Sequence, residues 1–360
     1  MPPTRSRDAR AGGARKRAAR SASAALNPQA SAAAARGARR SLVIELPARG
    51  KLGVRLRCAR PLELTAAEIA RVRELAWTHR LLVFEGIALS NAEYVRFASQ
   101  FGTPQPYHLA NYHHPDHPEI FVSSNVPLAG QKVGVAGTGR FWHTDYSFMP
   151  RPLSFTLVYP QIIPEGVRGT KFVDLHEVWR ELPGDLRSLL EGRQCFHDAA
   201  DYYKIQPKDV DRAVIDLVRE FRAHAPGTWH PALITHPVTG ERGVYVSEGF
   251  TRQISGLAHE HGNEVLARVH ALCQREERVH FEQWHAGDLF LWDNRLLNHH
   301  AGYGSPGQQS CSFRISVYDG QPFYVGHTAE LEAQAAATAA TTGARAALKP
   351  QARRTGARRA

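Results

Sequence analysis

Between residues 41 and 326 the apolar positions recur with two periods, and each predicts its own kind of element. Ser41–Leu46 (SLVIEL) alternates with period two and reads as a strand. Thr65-x-x-Glu68 and Ser90-x-x-Glu93 are capping boxes, in which hydroxyl and carboxylate satisfy the free amides of a first helical turn. They open amphipathic helices that run to Ala76 and to Gly102, with a buried strand, Arg80–Phe84 (RLLVF), between them. Further strand-like runs are Ile120–Ser123, Phe141–Phe148, Leu153–Tyr159, Lys171–Val173, Val244–Ser247, Asp288–Trp292 and Phe313–Tyr318. Helical spacing returns at Leu175–Leu190 and Glu264–Glu276, and no internal repeat is present. Short strands punctuated by Gly and Pro, with helices inserted between them, predict a mainly β protein with flanking helices, a sandwich or jelly roll.

Outside these limits the periodicity vanishes. Residues 1–40 are rich in Ala, Arg, Ser and Gly, and residues 327–360 resemble them. Such segments bury too little apolar surface to offset chain entropy, so both read as disordered, solvated tails around one domain, 41–326. The net charge of +11 divides accordingly: the first tail carries +9, the last +4, and the domain is close to neutral. The basic balance therefore belongs to the tails, and solvated extension is preferred there to a transit peptide or a tether for an anionic polymer. No apolar run reaches the length of about eighteen residues that a membrane span needs. The first forty residues lack the apolar core of a secretory leader, so a cytoplasmic location is expected. Cys58, Cys195, Cys273 and Cys311 are scattered without a C-x-x-C and are expected to be reduced thiols.

The chemistry concentrates in F-W-H-T-D-Y-S-F, where His143 and Asp145 are two residues apart on an expected strand. Residues i and i+2 of a strand share a face, so an imidazole and a carboxylate can converge on one ion. A third ligand is expected from G-D-L-F-L-W-D-N-R-L-L-N-H-H, read as a strand leaving the sheet just before His299 and His300. Two histidines and one carboxylate on one face of an octahedron leave positions open, as in oxygen-activating Fe(II) enzymes. His117-x-Glu119 and the pair His259/His261 compete by spacing, but the first lies among prolines and charges and the second in a polar, Gly-flanked stretch read as a loop. Both read as solvated surface. Arg314, on F-R-I-S-V-Y-D fifteen residues beyond His299, supplies a guanidinium fork for the far carboxylate of a 2-oxo acid bound to such iron. Its apolar neighbours Phe313, Ile315 and Val317 argue against an exposed strand position.

Together these elements resemble the TauD/TfdA superfamily of Fe(II)/2-oxoglutarate oxygenases, over roughly residues 41–326. The stretch W292-D-N-R-x-x-x-H299 and the ending R314-x-x-x-x-x-x-P-F-Y carry the likeness. The resemblance implies a double-stranded β-helix jelly roll, Fe(2+), and 2-oxoglutarate and O2 as co-substrates. It selects His299 over His300 as the distal ligand and places Thr170 near the co-substrate carboxylate. Many members carry a co-substrate arginine eleven residues after the distal histidine; that position is Ser310 here, and only Arg314, four residues on, remains.

That departure is similar to a narrower group, the isonitrile-forming oxygenases that act on β-amino fatty acids bearing an N-carboxymethyl group. The segments E119-I-F-V-S-S-N-V-P, T138-G-R-F-W-H-T-D-Y-S-F-M-P, L157-V-Y-P-Q-I-I-P-E-G-V-R-G-T and Y245-V-S-E-G-F-T carry this likeness. It implies that Arg168 helps hold 2-oxoglutarate and that Lys204, Tyr107 and Tyr112 meet the substrate. A tandem tyrosine of the group is Tyr107-His108 here, which brings His108 into the expected pocket, and a histidine after the distal ligand is Tyr303. A substrate with two carboxylates beside a dianionic co-substrate calls for about three cations, and Arg168, Lys204 and Arg314 could supply them.

Two other readings remain at this point. One is hydroxylation of another small carboxylate or sulfonate, as on taurine. The other is a non-catalytic β-sandwich whose tails grip nucleic acid, which lacks the stacked aromatics and interleaved basic residues such binding needs. The expected partner is a small molecule bearing carboxylates, with no membrane; acyl chain length and any homo-oligomer stay open.

Overall fold

The computed structural model describes residues 42–127, 130, 132–206, 209–302 and 307–328. The first tail, Tyr303 and all but the start of the last tail lie outside them. In chain order the elements are β1 (Val43–Glu45), β2 (Val54–Arg57), α1 (Ala66–His79), β3 (Leu81–Glu85), α2 (Asn91–Ser99), β4 (Thr103–Gln105), β5 (His113–His114) and β6 (His117–Ser124). Then come β7 (Phe155–Ile162), β8 (Gly169–Asp174), α3 (Leu175–Arg180), α4 (Gly184–Leu190), β9 (Gln194–His197), α5 (Val214–His224), β10 (Thr228–Pro231), β11 (Leu233–Thr235), β12 (Arg242–Val244) and β13 (Thr251–Ile254). The domain closes with α6 (His259–Cys273), β14 (His280–Gln283), β15 (Leu289–Asp293), β16 (Leu297–Gly302) and β17 (Cys311–Tyr318).

A large sheet runs β1-β2-β3-β15-β7-β17-β6-β5, with β4 also on β17, and a small sheet runs β14-β8-β16. All pairings in the two are antiparallel except β2 with β3. These are the two walls of a double-stranded β-helix jelly roll. Period-two alternation assigns each strand's side chains to one wall face or the other. Leu82 and Phe84 of β3, Leu289 and Leu291 of β15, and Ile315 and Val317 of β17 pack outward against Val72, Leu75, Tyr94 and Phe97 of α1 and α2. Leu81, Val83, Phe290 and Trp292 face inward and meet Phe172 and Leu297 of the small sheet. Inward positions on β17 are Ser312, Arg314 and Ser316, so the apolar neighbours of Arg314 belong to the opposite face from it.

Both capping boxes form as expected, at Thr65 and at Ser90. Helix α1 runs one turn further than the pattern indicates and stops where Arg80 takes a φ of 63°. The stretch read as one helix at 175–190 is two, broken before Pro183, which cannot continue α3 and instead caps α4. The later helix begins at His259, so His259 and His261 sit in its first turn rather than in a loop, though both are exposed as expected. The segment 245–247 is not strand; β12 ends at Val244. His327 is buried, its ring against Tyr324 and its Nε2 on the Pro150 carbonyl at 2.9 Å, so the fold extends past the expected boundary at 326. None of the four cysteines is in a disulfide, and three are buried. No helix among the described residues is long and apolar enough to cross a membrane.

Candidate active site

The segment 141–148 is not the expected strand. Glycines at 137 and 139 with positive φ precede it, and Tyr146 itself sits at φ 61°, a left-handed turn that a ladder does not tolerate. One residue pairs: His143 exchanges both backbone hydrogen bonds with His299, at 3.0 and 2.8 Å, as an isolated bridge. Asp145 lies in the turn that follows, so it reaches the site by turn geometry rather than by sharing a strand face with His143.

The distal stretch is not one strand either. β15 ends at Asp293, the chain turns a corner, and His299 stands inside β16 of the other wall. The corner is made by the motif itself. Asp293 accepts the amide of Arg295, Asn294 donates to the Leu153 carbonyl and to Thr156 Oγ1, and the Trp292 indole donates to Asn294. Thr156 Oγ1 in turn donates a hydrogen bond to Asp145 Oδ2 at 2.8 Å. The motif thus places His299 and braces Asp145 together.

His143, Asp145 and His299 are all buried, with ligand atoms within 4.8 Å of one another. The two Nε2 atoms lie 3.7 and 3.9 Å from Asp145 oxygens, beyond hydrogen-bond reach. His143 Nδ1 donates to the Phe141 carbonyl at 2.9 Å, which leaves Nε2 as the bare lone pair. His299 is held by packing against Trp292 and Phe172. Burial holds both imidazoles below their ordinary pKa, His299 well below, so they stay neutral. Burial would raise the Asp145 carboxyl, but the Arg314 guanidinium, at 2.7 Å, foremost outweighs it and holds it at about 2. Two neutral imidazoles and one carboxylate, spaced as ligands sharing an ion rather than as a hydrogen-bonded cluster, fit a facial iron(II) site.

Two cavities open onto this group. The smaller, about 80 Å³, is lined by His143, His299, Thr170, Arg168, Ser312 and Arg314 among others. Arg168 stacks 4.0 Å over Trp284 and donates to the carbonyls of Gly169 and Gly302. The Thr170 hydroxyl accepts from the Trp284 indole at 3.2 Å and keeps its own proton to donate. The larger cavity, about 340 Å³, is lined by Tyr107, Tyr112, Tyr146, Lys204 and Arg140, with Arg314 shared between the two. Burial pushes Tyr107 well above, and Tyr112 and Tyr146 up to about 12, so all three phenols are neutral donors. His108 does not join them: its ring packs against Phe148 and Phe221, outside both cavities. Ser310 sits at the strand edge, bonded through its backbone to Asn125.

Thr156, Trp284 and Arg140 escape sequence reading. Thr156 looks like an ordinary strand position and Trp284, just past β14, lies in no strand-like run; only the pairing of distant strands brings them to the site. Arg140 lies in the quoted T138-G-R-F-W-H motif, three residues before His143, and its chemistry was legible in principle.

Comparison with known proteins agrees with this geometry. The model of the taurine catabolism dioxygenase TauD, TfdA family matches residues 45–311. Pentalenolactone F synthase of Streptomyces avermitilis is 32% identical over 226 residues, 60% of this chain and 74% of that one. The alpha-ketoglutarate-dependent 2,4-dichlorophenoxyacetate dioxygenase of Cupriavidus pinatubonensis is 27% identical, covering 66% of this chain and 83% of its own. Two crystal structures share the fold: a taurine dioxygenase from Burkholderia xenovorans (24% identity, 77% and 89% coverage, TM-score 0.62) and AAD-2 (18%, 79% and 98%, TM-score 0.64). The chain belongs to the TauD/TfdA family of Fe(II)- and 2-oxoglutarate-dependent dioxygenases.

Proposed function

We propose that this dioxygenase oxidises the glycine-derived methylene of an N-carboxymethyl-3-amino acid and releases its carboxyl as CO2, leaving an isonitrile. The observation that carries the reading is the larger cavity: Lys204, Arg140 and Arg314 with three neutral phenols, beside one carboxylate that Arg314 already engages. Such a lining suits a ligand with more than one carboxylate. Its volume sits near the lower end of the roughly 300–1,000 Å³ typical of small-molecule sites. The named relatives act on chemically diverse substrates, so likeness to them does not select one.

In this reading His143, Asp145 and His299 hold iron(II), and Arg168, Thr170 and Arg314 hold 2-oxoglutarate in the smaller cavity. The bound metal and co-substrate supply the oxidant from O2. The protein's part is orientation and exclusion of water. Neutral imidazoles and a charged carboxylate are ready to ligate without proton release, and Phe141, Phe148 and Phe250 wall the larger cavity. Removing four hydrogens from R–NH–CH2–COOH gives R–N≡C and CO2, so two turnovers are needed. Each turnover consumes one 2-oxoglutarate and one O2 and yields succinate, CO2 and water.

Incubation with Fe(II), 2-oxoglutarate and N-carboxymethyl-3-aminobutyrate tests this. An isonitrile stretch in the infrared, with two succinates formed per product, is expected. Succinate formed without isonitrile would refute the substrate assignment, and turnover of taurine in a parallel assay would replace it with sulfonate hydroxylation.

A further inference from the structure

On the side away from the three ligands, the metal motif carries a second pairing that iron chemistry does not use. His143 and His299 exchange backbone hydrogen bonds as an isolated bridge, with their rings 4.1 Å apart on one face. A regular antiparallel ladder would next pair Ala301 with Phe141. Instead the Ala301 amide donates to the Gly139 carbonyl at 2.8 Å, and the Phe141 carbonyl accepts His143 Nδ1. The backbone thus sets the register of the ligand pair by a single bridge. A slip of one residue there would turn His143 to the reverse face and take it from the ion.

The residues beside the bridge, Thr144 and Asn298, oppose each other and, by alternation, turn to the reverse face. Both are buried. Thr144 Oγ1 donates to Asn298 Oδ1 at 2.8 Å, and Asn298 Nδ2 donates to the Val246 carbonyl at 3.0 Å. A backbone carbonyl can only accept, which orients the amide and leaves its oxygen for the hydroxyl. On the other flank of the bridge Trp142 packs on His300, 5.5 Å between ring centroids, and its carbonyl accepts the Gly249 amide at 2.9 Å. The segment 246–249 therefore backs both flanks. Thr144 stands between His143 and Asp145, and Asn298 directly precedes His299, so one hydrogen bond ties both arms of the ligand set. A slip would leave the Asn298 oxygen buried without its donor, and such an unmet group is costly.

We propose that Thr144 and Asn298 are positioning residues, a buried latch that sets the register of His143 against His299 and so the spacing of the iron ligands. The latch rests on the assignment of His143, Asp145 and His299 as ligands and is independent of the substrate. It acts from behind the site, touching neither metal nor co-substrate.

The test is titration of the metal-free, full-length protein with Co(II), read by calorimetry and visible absorption at a temperature where every variant is folded. Thr144→Val keeps the shape of the side chain and removes the donor. It should weaken Co(II) binding about tenfold, the lower edge of what the outer partners of metal ligands contribute. At saturation it should also shift the visible bands, because the ligand geometry differs. Thr144→Ser keeps the hydroxyl and should restore wild-type affinity and bands. Asn298→Leu should weaken binding at least as far as Thr144→Val, and adding Thr144→Val to it should cost nothing more, since the donor has already lost its acceptor. A role confined to stability predicts lower melting temperatures with unchanged affinity and bands. That result for Thr144→Val, or a further loss in the double variant, overturns the latch and leaves the ligand assignment in place. If wild type binds no Co(II), the ligand assignment falls and the latch falls with it.

Discussion

His143→Ala and Asp145→Asn are each expected to abolish 2-oxoglutarate-dependent succinate formation while leaving the fold intact. If the three buried groups hold one iron as proposed, the loss of any one leaves two ligands, too few to keep iron against water. Loss of a hydrogen-bonding partner behind a ligand typically costs about 10–100-fold in metal affinity or activity, so loss of a ligand itself should exceed ~10³-fold. Thr156→Val provides the graded control. It removes the 2.8 Å hydrogen bond to Asp145 Oδ2 but no ligand, and should fall within that smaller range. Circular dichroism should be unchanged in all three variants, because the bridge between His143 and His299 is made by backbone. Near-wild-type succinate from either ligand variant would remove the metal assignment.

The outward half of the fold was legible because it is written locally. Capping boxes at Thr65 and Ser90 need four residues to specify a helix start, and the strand-like runs of β3, β15 and β17 need five or six. The site was legible as a set of residue types but not as geometry. His143-x-Asp145 suggested a strand because i and i+2 share a strand face, whereas a left-handed Tyr146 and an isolated bridge do the placing. The apolar neighbours of Arg314 argued against an exposed arginine, and it is half-buried, yet they pack on the helix-covered face while Arg314 faces inward. The placement of His108 failed for a different reason. Its ring stays against that of Tyr107, 4.0 Å between centroids, but it is covered by Phe148 and by Phe221 of α5, a helix the pattern did not reveal, and does not line the cavity.

The most informative case is Trp292-Asp293-Asn294-Arg295, which reads in sequence as a signature preceding a ligand. In the structure none of the four is among the three grouped ligands; they form the corner that carries the chain from the large sheet to the small one. Asn294 links that corner through Thr156 to Asp145, so the distal ligand and the carboxylate are positioned by the same few hydrogen bonds. A motif of this kind marks function because precision at the site depends on it, not because its side chains react.

Arg295→Met should therefore be the most destabilising single change outside the ligand set. Its guanidinium is fully buried, donates to Asp319 Oδ1 at 2.9 Å and to the Phe323 carbonyl at 3.0 Å, and lies 3.3 Å from Asp293. Removing it leaves two buried carboxylates facing each other's field. His236 still partners Asp293, and Trp77 still partners Asp319, but the opposing positive charge is gone. Breaking one side of a buried ion pair costs about 3–5 kcal/mol. For a domain of this size that corresponds to a fall in Tm of roughly 5–8 °C. Arg180→Met is the comparison: it removes an exposed pair with Glu177, and the Tm should move by less than about 2 °C. Succinate formation by Arg295→Met, measured well below its melting point, should drop as well, because the corner that positions His299 has loosened. A melting temperature equal to wild type would show that the carboxylates find other partners, and that the corner is held by Asn294 and the backbone alone.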